Sequence, residues 1–450
     1  MKSRTLVRFD SALADDTPLA RILKNRQGHQ DFVRARRLHQ RLGPLHLRHG
    51  ITSEVSGRRS VMNGRESVNF ASSNYLGLEQ HPEVLYASKR AIDELGTETG
   101  CPREISSQQN IVDLEATLSQ MLAAEATLIG TSAAQVNSDS LAALFGEPES
   151  ILFLDRHAQD VVVRAAEAAG MKGAEIVRVD VGDLLALQKA LLRHGGKRGA
   201  LVVDSLYGIQ GSMPDFKTIE RLCPAAGIVL YVDDTHGIGV LGASGGGVAE
   251  ACGLGYDNLL VVGSLQTAFG TYGGFISGKA PLVDFLRVMS PSYAAGGTLQ
   301  PAAVEGALAS VRIARSSEGR RLRQQLADSS QWVRDELESL GFSVVPGYSP
   351  VISVKIGKDM KTLMAARKLF DLGVFVPAYV FPSVDRGRGV LRISLTALHT
   401  KGDLAKLVEA FRALRAYLLK YENPMRQAAH LAYELCRSRW QGQRYAGIDR

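Results

Sequence analysis

The sequence predicts an α/β protein in which a mainly parallel sheet is covered by helices on both sides. Between residues 85 and 280, helix-like and strand-like segments alternate, as in sheets built from strand–helix–strand units. Several of the strand-like segments are continuous apolar runs, which is typical of strands buried on both faces. The chain has 450 residues, of which 45% are hydrophobic, and this is enough to bury such a core.

The predicted elements follow in order along the chain. Residues 1–60 predict an N-terminal helical segment, and a short strand and turn follow near 68–78. In the alternating region, helices are predicted over 110–124, 160–169, 182–194 and 216–224. Strands are predicted over 126–129, 151–154, 176–179, 200–204, 228–233 and 259–263.

The remaining segments complete a division into four parts. Residues 61–300 are predicted as the large domain, and 301–421 as a long or paired helix with a smaller C-terminal α+β domain. The smaller domain contains predicted strands at 351–355 and 390–395 and helices at 361–372 and 402–421. Residues 422–450 form a basic tail that we expect to be helical.

Composition argues against several classes of protein. The net charge of +7 is concentrated in arginine clusters at 34–48 and 426–450. These favour solvated helix faces over a nucleic-acid or membrane-surface site, because no array of stacking aromatic residues accompanies them. The four cysteines are scattered and lack ligand spacing with histidines, so no metal site is predicted. With no signal core and no membrane-spanning run, we expect a cytoplasmic protein.

Four polar side chains are candidates for a ligand-binding site. Asp233 ends a predicted buried strand and is followed by His236, so both are expected at the ligand-binding edge of the sheet. A capping aspartate and a structural histidine are the alternative. His157 also follows a strand, although a lone histidine is usually structural. Arg392 offers a guanidinium that suits a carboxylate, or else lies on the surface of an edge strand.

One segment of the sequence resembles a segment of a known enzyme family. Gly263-Ser264-Leu265-Gln266-Thr267-Ala268-Phe269-Gly270, with Tyr272-Gly273-Gly274, resembles the cofactor-lysine segment of the α-oxoamine synthases. These aminotransferase class-II-like enzymes include 8-amino-7-oxononanoate synthase and serine palmitoyltransferase. They use pyridoxal phosphate to join an amino acid to an acyl thioester. Thr267 stands where the family has its lysine, and a hydroxyl can neither form a Schiff base nor move the substrate proton.

The resemblance covers about residues 60–421 and implies the type-I pyridoxal-phosphate-transferase fold. It implies that Asp233 pairs with the pyridine nitrogen, that His236 contacts the phenolic oxygen and that His157 stacks on the ring. It also implies that Arg392 holds the amino-acid carboxylate. Ser132 and Ser264 correspond to serines of the cofactor site.

The departures from the family pattern cluster around the cofactor. After Ser132 the family has glycine and an aromatic residue, where this chain has Ala133-Ala134. A serine–threonine pair that reaches in from the neighbouring subunit appears as Gly296-Gly297. Four further positions differ, and they are occupied by Ile111, Phe153, Arg156 and Gly208. The phosphate therefore loses several of its usual partners.

Two functions of different class follow from this pattern. The first is a non-catalytic homologue that acts as a partner subunit or binds an acyl thioester or amino acid. It would form a homodimer, or a heterodimer with a lysine-bearing homologue, with pyridoxal phosphate absent or not covalently bound. The alternative is an active acyltransferase that condenses an amino acid with an acyl-CoA or acyl-carrier thioester, using non-covalent pyridoxal phosphate or no cofactor. His157, Asp233 and His236 would then be its acid–base groups.

Overall fold

The first described residues form antiparallel strands, which corrects the helix predicted up to residue 60. The strands are β1 (Thr52–Ser56), β2 (Arg59–Met62) and β3 (Arg65–Asn69), and each pairs antiparallel with the next. Gly57 turns the chain between the first two with a φ of 52°, a backbone conformation that favours glycine. In β2 exposed and buried residues alternate, and this period of two outweighs the arginine-rich composition that suggested a helix.

The computed structural model describes residues 52–62, 64–194 and 196–421. Residues 51–415 form one compact unit. A second unit, residues 1–50 with 416–450, lies almost entirely outside the described residues. The predictions for the helical segment before residue 52 and for the basic tail at 422–450 also lie outside them. Within the described residues, no helix combines the length and apolarity required to cross a bilayer.

A seven-stranded sheet is the centre of the large domain. Its strands are β4 (Ala126–Gly130), β5 (Ser150–Asp155), β6 (Glu175–Val179), β7 (Arg198–Asp204), β8 (Ile228–Asp233), β9 (Leu259–Ser264) and β10 (Gly274–Gly278). The order across the sheet is β4-β10-β9-β8-β7-β5-β6. The five strands from β5 to β9 run parallel, and β10 runs antiparallel to both of its neighbours. The predicted parallel sheet is confirmed, whereas β10 was not predicted.

Apolar side chains of the parallel strands enter the core on both faces of the sheet. Along β7, Leu201 and Val203 belong to one apolar cluster, and Ala200 and Val202 belong to another. All four are fully buried. Successive side chains of a strand point to opposite faces, so a strand covered on both sides requires a continuous apolar run.

Helices cover the sheet and lead towards the smaller domain. They are α1 (Pro82–Leu95), α2 (Gln109–Leu122), α3 (Ala133–Phe145), α4 (Asp160–Met171), α5 (Leu184–Arg193), α6 (Phe216–Ala225), α7 (Gly247–Cys252), α8 (Ala280–Met289), α9 (Pro291–Ala295), α10 (Pro301–Arg315) and α11 (Ser317–Ser339). The predicted helix over 301–341 is therefore a pair, interrupted at Ser316, whose hydroxyl caps the second helix.

The smaller domain contains an antiparallel sheet with the order β11-β12-β15-β14. These strands are β11 (Ser343–Val344), β12 (Val351–Gly357), β14 (Ala378–Tyr379) and β15 (Gly389–Ser394), while β13 (Val374–Phe375) pairs in parallel with β3. Helices α12 (Asp359–Asp371) and α13 (Lys401–Tyr421) accompany them.

The loop after β7 joins the two sheets. Ser349 and Ser353 donate hydrogen bonds to the carbonyl oxygens of Gly211 and Ile209, at 2.8 and 2.7 Å. This contact brings β15 against the carboxyl ends of the parallel strands.

Candidate functional site

Asp233 ends β8, at the edge of the sheet where α/β proteins bind ligands. It is 2% exposed. Its Oδ1 accepts a hydrogen bond from the Thr235 amide at 3.0 Å, and its Oδ2 accepts one from Asn137 Nδ2 at 2.7 Å. Burial raises the pKa of Asp233, and the hydrogen bonds from Thr235 and Asn137 oppose that rise.

Asn137, on α3, is a site residue that the sequence analysis missed. It is fully buried, and its Oδ1 accepts the hydroxyl hydrogen of Tyr231 at 2.9 Å. The Tyr231 hydroxyl also lies 2.7 Å from Ser140 Oγ. The amide is thereby fixed with its nitrogen toward Asp233. The sequence does contain a signal for this residue, because Asn137 is a polar residue at a position of the helix where an apolar one is expected.

His236 lies in the turn after β8 and is held by Tyr75. Its Nδ1 is 2.7 Å from the Tyr75 hydroxyl. Burial and the positive charge of Arg392 lower the pKa of His236 to about 3, so the imidazole is neutral at physiological pH. Gly208 packs against the ring so closely that a Cβ there would lie 2.6 Å from His236 Nε2. The Tyr75 contact joins residues that are distant in the sequence, and only the fold brings them together.

Arg392, on β15, places a cation beside this histidine. It is 4% exposed, its Nε donates to the Gly208 carbonyl, and its Nη2 lies 3.5 Å from Ser73 Oγ. Among residues 52–62, 64–194 and 196–421, no carboxylate forms an ion pair with it. A buried guanidinium without a counter-ion favours the binding of an anion.

Thr267 lies between β9 and β10 and is 8% exposed. Its hydroxyl donates to the Thr235 carbonyl at 2.6 Å, and its own carbonyl accepts from the Tyr75 amide at 3.2 Å. The side chain therefore joins the loops that follow β8 and β9. The nearby Ser264 hydroxyl accepts from the Gln266 amide at 3.1 Å, so it also stabilises this loop.

Two further predicted site residues are His157 and Ser132. His157 is exposed, and its ring is inclined at 66° to that of Tyr207, with centroids 5.5 Å apart. Arg156, the residue before it, pairs with Asp180 at 3.0 Å. Ser132 caps α3 by accepting from the Gln135 amide at 3.2 Å.

Asp204 is a second buried acid that the sequence analysis did not single out. It ends β7 directly opposite Asp233 in the sheet register and is fully buried. Burial, and then the charge of Asp233, raise the pKa of Asp204 well above its usual value. Its Oδ2 accepts from the Gln159 amide at 3.0 Å. Because Asp204 and Asp233 lie side by side, the charge of one raises the pKa of the other, and the pair retains a proton more readily than a single acid would.

Taken together, the site contains a buried acid, a neutral histidine and a cation without a counter-ion. Asp233, His236, Thr267 and Arg392 are linked to one another through Tyr75, Thr235 and Gly208. The arrangement can bind a small carboxylate and can accept or donate a proton. It offers no amine at Thr267.

The family described as "Aminotransferase class I and II" matches residues 65–411. The chain belongs to this family. It is 30% identical, over 387 residues, to 8-amino-7-oxononanoate synthase of Geobacter metallireducens, covering 85% of this chain and 96% of that protein. This relationship identifies an α-oxoamine synthase homologue in a pyridoxal-phosphate-dependent family of transferases.

Solved structures share the fold. Sphingomonas wittichii serine palmitoyltransferase matches with a TM-score of 0.80 and 24% identity, over 86% of this chain and 96% of that one. A lysine-to-alanine variant of serine palmitoyltransferase from S. paucimobilis, with a bound pyridoxal-phosphate–myriocin aldimine, matches with a TM-score of 0.80 and 22% identity, over 86% and 97% of the two chains. The predicted type-I fold is confirmed.

Proposed function

We propose that this chain is a non-catalytic α-oxoamine synthase homologue that binds an amino acid and acts as a partner subunit. The observation that carries the proposal is that a hydrogen-bonded threonine, Thr267, stands at the position of the family's lysine. Its hydroxyl is held by the Thr235 carbonyl at 2.6 Å. A hydroxyl in this position has no nitrogen to condense with an aldehyde and no accessible basic form.

The residues around Thr267 do not fit covalently bound pyridoxal phosphate. The family's ring partners are retained in Asp233, His236 and His157. The Ser132 hydroxyl caps its own helix, and Ala133-Ala134 and Gly296-Gly297 replace several phosphate partners that are usual in the family. Because Thr267 also offers no amine, we derive no reaction step through the cofactor.

Amino-acid binding is supported by Arg392. A carboxylate would supply the counter-ion that the described residues do not provide. Hydrogen bonds to charged groups are each worth about 1.5–3 kcal/mol, so Arg392→Gln should weaken amino-acid binding about ten- to a hundredfold.

A partner subunit is supported by two helices with exposed apolar side chains. On α1 these include Tyr86, 68% exposed, and Leu95; on α8 they include Phe285 and Val288, the latter 78% exposed. Patches of this kind mark interaction surfaces. We propose a homodimer, or a heterodimer with a lysine-bearing homologue. The cysteines among the described residues are free, which supports a location in the reducing cytoplasm.

Calorimetry and absorbance together test the proposal. L-Alanine should bind and ethylamine, which lacks the carboxylate, should not. Arg392→Gln should weaken the binding about ten- to a hundredfold, and Arg388→Gln, at an exposed position four residues earlier, should leave it unchanged. With added pyridoxal phosphate the protein should form no aldimine of its own. Steady condensation of an amino acid with an acyl-CoA by the isolated chain would overturn the non-catalytic function.

The alternative is an active acyltransferase that uses non-covalent pyridoxal phosphate or no cofactor. It is favoured by the retention of Asp233 and His236, and by the lysine-to-alanine serine palmitoyltransferase, which holds an aldimine of its cofactor with a ligand. An absorbance band that appears only when amino acid and pyridoxal phosphate are both present, together with turnover of acyl-CoA, would support this alternative.

A further inference from the structure

Tyr75 joins three segments of the chain that surround the candidate site. Its side chain is fully buried. Its amide donates to the Thr267 carbonyl at 3.2 Å, and its carbonyl accepts from the Ala397 amide at 2.8 Å. Its hydroxyl lies 2.7 Å from His236 Nδ1. The backbone of Tyr75 is therefore fixed on both sides, and its hydroxyl is held against the imidazole.

The Tyr75 hydroxyl keeps its proton at neutral pH. Burial raises the pKa of Tyr75, and the positive charge of Arg392 opposes that rise. A guanidinium can only donate hydrogen bonds, and its charge attracts the oxygen of a neighbouring O–H group. The hydroxyl oxygen is therefore turned toward Arg392, and the hydroxyl hydrogen is directed at His236 Nδ1.

The orientation of this hydroxyl determines which nitrogen of His236 carries the proton. The imidazole is neutral, because burial and the charge of Arg392 lower the pKa of His236 to about 3. A neutral imidazole has one N–H donor and one acceptor nitrogen, and the hydrogen bond at one nitrogen fixes the state of the other. Since Nδ1 accepts from Tyr75, the proton of His236 lies on Nε2.

The Nε2–H group of His236 faces Gly208. A Cβ at that position would lie only 2.6 Å from Nε2, so a larger residue would block this side of the ring. His236 is 9% exposed, and within residues 52–62, 64–194 and 196–421 no group accepts a hydrogen bond from its Nε2. A buried donor without a partner costs free energy, so a ligand oxygen that accepts from Nε2–H would stabilise the site.

Gly208 also brings Arg392 to the same place. Its carbonyl accepts from Arg392 Nε, while the same residue packs against the ring of His236. Of the other guanidinium nitrogens, Nη2 lies 3.5 Å from Ser73 Oγ and Nη1 bonds to no described residue. One small ligand beside Gly208 therefore meets a guanidinium and an imidazole N–H. Two donors of this kind favour the paired oxygens of a carboxylate.

We propose that His236 Nε2–H is a second donor to the amino-acid carboxylate at Arg392, and that Tyr75 is the positioning residue for this donor. The inference rests on the proposed function, because it requires that an amino acid binds at Arg392. It assigns to His236 a ligand oxygen other than the phenolic oxygen that the family resemblance implies. Tyr75 does not touch the ligand and acts only through the tautomer of the imidazole.

Nitrogen NMR of the unaltered protein tests the tautomer directly. With ¹⁵N-labelled histidine, long-range ¹H–¹⁵N spectra distinguish a protonated Nε2 from a protonated Nδ1, and the signal that is missing from His236→Phe identifies His236. We expect Nε2 to carry the proton at neutral pH. A proton on Nδ1, or an imidazolium protonated on both nitrogens, would overturn the proposal.

Tyr75→Phe keeps the aromatic ring and removes only the hydroxyl. It should leave His236 with a mixture of tautomers and weaken L-alanine binding about fivefold in calorimetry, the equivalent of one neutral hydrogen bond. The matched control is Tyr256→Phe, which removes a buried hydroxyl that bonds to no described residue. The control should change neither the His236 signal nor the affinity. An unchanged alanine affinity in Tyr75→Phe would overturn the positioning role.

A double-mutant cycle separates positioning from a general effect on the fold. His236→Phe should weaken alanine binding about ten- to a hundredfold, because it removes a hydrogen bond to a charged group. If Tyr75 acts through His236, adding Tyr75→Phe to His236→Phe should change the affinity by less than about twofold. A further loss of about fivefold in that background would show that Tyr75 supports the fold alone, and would also overturn its positioning role.

The failure of this inference can be told from the failure of the proposed function. If Arg392→Gln weakens alanine binding while His236→Phe does not, the second donor is wrong and the amino-acid-binding function stands. If both variants weaken it and Tyr75→Phe acts only when His236 is present, the inference is supported. If L-alanine does not bind to the unaltered protein, both proposals are wrong.

Discussion

Replacing Asn137 with leucine would test how the buried Asp233 is kept charged. Leucine has nearly the same shape but removes the Nδ2 donor 2.7 Å from Asp233 Oδ2 and the acceptor 2.9 Å from the Tyr231 hydroxyl. Asp233 keeps its hydrogen bonds from the amide and the side chain of Thr235, and Tyr231 keeps Ser140.

The expected loss of stability is the sum of one charged and one neutral hydrogen bond. A bond to a carboxylate contributes about 1.5–3 kcal/mol and a neutral bond about 1 kcal/mol, so Asn137→Leu should cost about 2.5–4 kcal/mol at pH values at which Asp233 is charged. Tyr231→Phe removes two neutral bonds, to Asn137 and to Ser140, and should cost about 2 kcal/mol at every pH. The larger effect comes from leaving a buried charge with too few donors.

The charged part of this loss depends on pH. Burial raises the pKa of Asp233 above the value of about 3.9 that is usual for an aspartate, and loss of the Asn137 donor raises this pKa further. A raised pKa means that the folded protein binds the proton more tightly. Stability therefore falls as pH rises from about 3.9 through the folded pKa, and the difference between variant and parent protein is fully developed only above that window.

Urea unfolding over a pH series from about 9 down to about 4 measures this difference. We expect the Asn137→Leu penalty to shrink as the pH falls through the folded pKa of Asp233, while the Tyr231→Phe penalty stays constant. An Asn137→Leu penalty that is the same over the whole series would refute the argument that Asn137 stabilises a charged Asp233. So would a Tyr231→Phe penalty as large as that of Asn137→Leu.

Three other predictions concern the same region and the exposed helices. Thr267→Lys should give at most a partial aldimine band in the absorbance spectrum with pyridoxal phosphate, because the phosphate partners stay absent; a full band would contradict this. His236 should not titrate in NMR spectra between about pH 8 and about pH 5, because burial lowers its pKa to about 3. The stability that the neutral His236 contributes is lost as the pH falls from about 6.5, the unfolded pKa, through the folded pKa. A titration midpoint near pH 6.5 in the folded protein would contradict this prediction. Phe285→Glu together with Val288→Glu should shift light scattering toward a smaller species if α8 lies in a subunit interface, and unchanged mass would exclude that helix from it.

The parallel sheet could be predicted because a strand that is buried on both faces is a continuous apolar run, which can be recognised within that segment of the sequence alone. The strand ending at Asp233 is a continuous apolar run, so its position and the place of the acid follow from local sequence. β10, with the sequence Gly274-Phe275-Ile276-Ser277-Gly278, has no such run. Its direction depends on pairing with two other strands, which local sequence does not encode.

The site could be predicted only as far as its residues lie in recognisable motifs. Asp233 and His236 were predicted at the carboxyl edge of the sheet, and they lie at the end of β8 and in the turn after it, but their partners were not predicted. Tyr75 meets His236 across 161 positions of sequence. Asn137 reaches Asp233 because one face of α3 packs over β8, and a helix pattern alone does not say which strand lies beneath that face.

The bond from Thr267 to the Thr235 carbonyl also affects how this position can be engineered. It joins the loops that follow β8 and β9, and a neutral hydrogen bond of this kind contributes about 1 kcal/mol to stability. A lysine at position 267 gives up that contribution before its amine can react, so any attempt to install a Schiff base here starts from a less stable protein. Serine keeps the hydroxyl, and we expect it to be the replacement that costs the least stability.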